Sequence, residues 1–141
     1  MNKALLKAYR ETDFNVFNPA ITIKIGANND LLNNLLLKHC VEEWAYITPF
    51  NPYSNVLSEE QNEQRYKELK NKIVNYKYFE GEGVGKDLSW KPEKSFLILG
   101  ITKEQAIEIG NYYEQNAIVY GIVYQLPELL ILKSLMTFQK E

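Results

Sequence analysis

The chain has 141 residues, 45% of them hydrophobic and 24% charged, which fits one globular domain that buries a core without metal or disulfide support. Sixteen basic against eighteen acidic residues leave a formal net charge of −2, so there is no global electrostatic basis for gripping a nucleic-acid backbone. A single cysteine, Cys40, excludes an internal disulfide, no apolar run is long enough to span a bilayer, and "MNKALLKAYRETDF" lacks the apolar core of a signal peptide; the expectation is a cytoplasmic protein.

In chain order, Ile21, Ile23 and Ile25 alternate with Ala20, Thr22 and Lys24, which predicts a half-buried strand stopped by Gly26. A helix follows in "NNDLLNNLLLKHCVEE", capped by Asn29 or Asp30, with Leu31, Leu32, Leu35, Leu36 and Cys40 on its buried face. "WAYITPF" is short, apolar and ends at Asn51-Pro52, and reads as a central strand. Ser58 with Gln61 makes a capping-box pattern, so a helix is expected from about Glu59 to Asn75 with Tyr66, Leu69, Ile73 and Tyr76 inward.

"YKYFEGEGVGKDLSW" then reads as a strand entering a glycine-rich hairpin, and "KSFLILGI" as a second buried strand. Thr102 caps the next helix, with Ala106, Ile109 and Tyr113 on one side, before the strand "NAIVYGIVY". After Pro127, "ELLILKSLMTF" fits a strand or a short helix equally. The order implies a single α+β domain over 1–141, a sandwich of one mixed or largely antiparallel sheet with about three helices packed on it. A doubly wound parallel sheet is disfavoured, because too little chain separates the middle strands for a crossover helix.

Six pieces in one order carry a resemblance: "YRETDF", "IKIG", "WAYITPFNPYS", "LSEEQNEQR", "GEGVGKDLSWKPEKSFLILGI" and "QNAIVYG". Together they resemble a family of small bacterial proteins known as domain of unknown function 3293. The resemblance implies no activity. It marks Thr48, Asn51, Pro52, Ser54, Asn62, Arg65, Trp90, Glu93, Ser95, Gln115 and Asn116 as candidate residues. Pro49 departs from the pattern, which more often has a small residue there.

The stretch "TPFNPYSNVLSEEQNEQR" leaves the end of a strand and leads into a helix, a place where loop side chains and helix amides converge on ligands. On one reading Thr48, Asn51, Ser54, Asn62, Ser95, Gln115 and Asn116 line a site, Arg65 holds a carboxylate or phosphate, and Glu93 serves as a base. On the other, Asn51 and Ser54 make local turns, Asn62 is solvated, Asn116 caps a helix, and Arg65 pairs with Glu68 or Glu93.

Gly81, Gly83 and Gly85 match neither a dinucleotide fingerprint nor a Walker loop, and fit a hairpin better than a flap. With His39 the only histidine, metal-centred and His-dependent catalysis lack their residues, and Cys40 is expected buried. Two function classes follow. One is a binder of a small polar or phosphorylated, nucleotide-like molecule, with catalysis by Glu93 and Arg65 and any cofactor left open. The other is a non-enzymatic module that docks a protein through Phe50, Tyr53 and Trp90. Membrane and nucleic-acid partners are disfavoured, and the oligomeric state is open.

Overall fold

A computed structural model of the chain describes residues 2–132. The order is α1 (Lys3–Arg10), β1 (Asp13–Val16), β2 (Ile21–Ile23), α2 (Asp30–Lys38), β3 (Glu43–Ile47), a single 3-10 turn at Pro52–Ser54, α3 (Glu59–Lys72), β4 (Lys77–Val84), β5 (Glu93–Leu99), α4 (Lys103–Tyr112), β6 (Ala117–Ile122) and β7 (Glu128–Ile131). Seven strands form one sheet in the order β2-β1-β4-β5-β3-β6-β7, and every pairing is antiparallel. The expected α+β domain is therefore present. No helix among the described residues is long and apolar enough to cross a membrane.

β3–α3–β4 and β5–α4–β6 each join strands that lie two apart, with β5 between the first pair and β3 between the second. Because all neighbours are antiparallel, each joined pair runs in one direction, the split βαβ or ferredoxin-like arrangement. β3 is central, as expected, and it supplies both cores by simple alternation. Trp44 and Tyr46 join residues of β1, β2 and α2 on one face, while Ala45 and Ile47 join α3 and α4 on the other. Helices thus cover both faces, where the sequence suggested one.

Local chemistry explains most boundaries. Asn29 caps α2 through its side chain, and Ser58–Gln61 and Thr102–Gln105 each close a complete capping box. Tyr66, Leu69 and Ile73 form the buried stripe of α3. Two residues expected on the buried face of this helix differ: Leu31 is exposed, and so is Cys40, which lies beyond the end of α2. α2 stops at Lys38, and Cys40 turns into the left-handed region at φ 56°, so it leaves the helical face before its side chain can follow the stripe. The segment after Pro127 is a strand over Glu128–Ile131, and its continuation past residue 132 lies outside the described residues.

The sheet is strongly curled. Tyr46 on β3 donates its hydroxyl to the Asn15 carbonyl on β1 at 2.7 Å, and its ring meets Phe14 edge-on at 5.4 Å. In a flat sheet these strands would stand three spacings apart, about 14 Å, beyond the reach of a tyrosine. Gly81 on β4 makes the fold-over sterically possible: a Cβ there would sit 1.8 Å from the Asn15 carbonyl oxygen.

Gly81→Ala is therefore expected to cost about 3 kcal/mol or more, because backbone rather than a flexible side chain would have to move. Urea denaturation measures this, and an unchanged midpoint would mean that β1 does not lie over Gly81.

Candidate functional site

The curl leaves a cavity of about 660 Å³ between α1 and the sheet face that carries Tyr46. Its floor comes from β3, β5 and β6, its sides from β1 and the β4–β5 connection, and its roof from α1. α1 buries none of its residues, although Leu5, Leu6 and Tyr9 are partly covered and Asn2 caps its start. The helix spans the opening without filling it.

The strand ends gather the polar residues. β3 ends where β5 and β6 begin, so Thr48, Glu93, Ser95 and Gln115 meet at one end of the sheet. Together with Ser54, Trp90, Tyr9 and Tyr46 they line the cavity. Asn51, Asn62, Arg65 and Asn116 stand outside the lining and brace it from behind.

That bracing answers the polarity of the loop after β3. Asn62 is buried, not solvated: its Oδ1 accepts from the Asn51 backbone N–H at 3.0 Å, and its Nδ2 donates to Asn51 Oδ1 at 2.9 Å. Asn51 Oδ1 also accepts from the Leu57 N–H at 3.0 Å. Asn51, Tyr53 and Ser54 adopt positive φ of 50°, 48° and 64°, a conformation that non-glycine residues hold only when their surroundings enforce it. Here the Tyr53 N–H donates to the Glu114 carbonyl at 2.7 Å, and Asn116 Nδ2 donates to Ser54 Oγ at 2.9 Å. Asn116 is not the helix cap suggested by its position, since α4 is capped at Tyr113.

Arg65 pairs with neither Glu68 nor Glu93. Its Nε donates to the Pro49 carbonyl at 2.6 Å and its Nη2 to the Tyr113 carbonyl at 2.5 Å, which ties the β3–α3 loop to the end of α4. Gln115 reinforces the same seam, with Nε2 donating to the Phe50 carbonyl at 2.9 Å and to that of Tyr113 at 3.1 Å. Pro49 is thus a buried acceptor for Arg65.

Glu93 is the charged group at the base of the cavity. Oε2 accepts from Asn51 Nδ2 at 2.7 Å and from Trp90 Nε1 at 3.4 Å. Among the described residues nothing donates to Oε1. Burial pushes its carboxyl above the ordinary glutamate value of 4.5, and the hydrogen bonds from Asn51 and Trp90 offset part of that rise. Tyr9 hangs from α1 beside it. Burial, with Glu93 adding to it and the Asn116 amide opposing, pushes its hydroxyl up to about 12. Among the described residues no three His, Cys, Asp or Glu side chains gather as a metal set.

The model of a family described as "Protein of unknown function (DUF3293)" matches residues 47–118, just over half of the chain. The chain belongs to this family. The match runs from the last residue of β3 to the second residue of β6, so every candidate site residue, from Thr48 to Asn116, falls within its bounds. No curated protein matches the chain, and no solved structure does.

Sequence reasoning missed Tyr9, Tyr46 and α1 itself. The signal was present: Asn2 three residues before Leu5, with Leu5, Leu6 and Tyr9 on one helical side. Of the three aromatics Phe50, Tyr53 and Trp90, Phe50 packs against the α3-side core and Trp90 lines the cavity.

Arg65→Ala should destabilise the fold by about 1–3 kcal/mol in chemical denaturation, since it strands the Pro49 carbonyl and leaves that of Tyr113 with Gln115 alone. Arg65→Lys should recover at most part of this, because one ammonium cannot match the fork. For Glu93, the unfolded chain ionises near pH 4.5 and the folded chain only at higher pH. Stability relative to Glu93→Gln should therefore fall as pH rises from 4.5 through the folded value, and then level off. Thermal unfolding of both proteins across pH tests the sign, and a rising difference would refute it.

Proposed function

We propose that this domain binds a small molecule in the cavity beneath α1, with a hydrogen-bonding end of the ligand at Glu93 and its apolar body toward α1. The observation that carries this reading is a cavity of about 660 Å³, inside the range of roughly 300–1,000 Å³ typical of small-molecule sites, with a partly buried carboxylate at its base. Such a pocket, mostly apolar with a few convergent polar groups, is the usual form of a ligand site. Thr48, Ser54, Ser95 and Gln115 add polar lining near it. Asn51, Asn62, Arg65 and Asn116 act by holding the loop in shape.

Within this reading a phosphorylated or nucleotide-like ligand is less well supported than one without an anionic group. Arg65, the residue expected to meet a phosphate, directs two donors to backbone carbonyls and does not line the cavity. The lining lysines, Lys7 and Lys86, are exposed, and exposed cations are screened by solvent. Any proton transfer at this site would fall to Glu93 and Tyr9, the titratable pair that stands side by side in the cavity.

The test is an NMR screen of small polar metabolites and fragments against the isotopically labelled protein, following the Trp90 indole and the Gln115 amide. Binders should shift both signals. Two obstructing variants, Ala8→Trp on the roof and Ala117→Phe on the floor, should weaken every such binder by tenfold or more. Because Ala8 is exposed, the first variant leaves the core intact. Binding that survives both variants, or a screen that never moves these signals, would refute the reading.

A further inference from the structure

The hydrogen-bond valence at the base of the cavity says more about the ligand than its volume does. Glu93 Oε2 is engaged twice, by Asn51 Nδ2 and Trp90 Nε1, whereas Oε1 receives no donor from the described residues. No lysine or arginine among the described residues lies within ion-pair distance of this carboxylate. Lys86 pairs with Glu11 at 3.5 Å, away from the base. A partly buried carboxylate without a counter-charge carries a desolvation cost, and a charge-assisted hydrogen bond is the strongest single remedy. Around it the walls are aromatic: Tyr46 and Phe14 meet edge-on at 5.4 Å, and Trp90 and Tyr9 also line the space. Aromatic faces attract cations and have no corresponding attraction for anions.

We propose that the ligand carries a positively charged nitrogen, such as a primary ammonium group, which docks on Glu93 Oε1, with an apolar or aromatic body held against Tyr46, Phe14 and Trp90. This rests on the small-molecule reading above and adds the sign of the ligand's charge. A ligand whose buried end is anionic would face Glu93 directly, with Arg65 turned to the carbonyls of Pro49 and Tyr113. A neutral ligand would satisfy one lone pair of Oε1 but leave the charge unopposed.

Three near-isosteric probes separate the possibilities: phenethylamine, 2-phenylethanol and phenylacetate, each titrated into the labelled full chain while the Trp90 indole signal is followed. Phenethylamine should bind at least roughly tenfold more tightly than the alcohol, and phenylacetate most weakly. Glu93→Gln should bring the amine down to the level of the alcohol and leave the alcohol unchanged. If the alcohol or the acid binds as well as the amine, or if the amine keeps its advantage in Glu93→Gln, the charge assignment is wrong while the cavity remains a binding site. Failure of all three probes to move the signal overturns the charge assignment and counts against the cavity as well. Should Glu93→Gln not fold, the ranking in the wild-type protein decides the matter alone.

Discussion

The curl of the sheet over Gly81 is the constraint on which the cavity depends. It brings the Asn15 carbonyl within reach of the Tyr46 hydroxyl, but that hydrogen bond is worth only about 1 kcal/mol net. Apolar burial contributes far more. Phe14, Val16, Ile21 and Ile23, all from the β1–β2 hairpin, are buried with α2, and each such side chain gains roughly 1.5–3 kcal/mol from leaving water. The hairpin is drawn over by its core. The tyrosine fixes where it stops.

A second layer of organisation keeps the floor rigid. Three left-handed residues between Asn51 and Ser54 would be an unfavourable run in isolation. The Asn51–Asn62 exchange, the Arg65 fork and the Asn116–Ser54 contact enforce it. In consequence Asn51 presents its amide to Glu93 with its own carbonyl oxygen already occupied. The loop's amides therefore serve geometry first, and the cavity receives the result through Glu93. A fully satisfied polar cluster of this kind specifies one arrangement, where a partly satisfied one would leave several.

Much of the fold was legible because it depends on local rules. The capping boxes at Ser58 and Thr102, the α3 stripe through Tyr66, Leu69 and Ile73, and the alternation of β3 are all written in neighbouring residues. The roof was not legible in the same way. α1 buries nothing of its own, so the period of its apolar residues is short and only its tertiary position gives it meaning. Arg65 illustrates the other limit. Its residue type suits an anion, a carboxylate or two carbonyls alike, and the choice is made by the backbone of Pro49 and Tyr113, which are 16 and 48 residues away in sequence. Residue type marked the position; long-range geometry decided the role.

Gly81 has one more consequence. The approach of β1 to β4 beside the cavity is set by main chain against main chain, Gly81 against Asn15, and side-chain volume does not set that gap. Lining positions such as Thr48, Ser95 and Ala117 therefore sit inside an outline that their own identities do not determine. Over generations such a scaffold separates two kinds of change. Substitutions in the lining retune chemistry, while the close approach of β1 to β4 rests on a residue without a side chain.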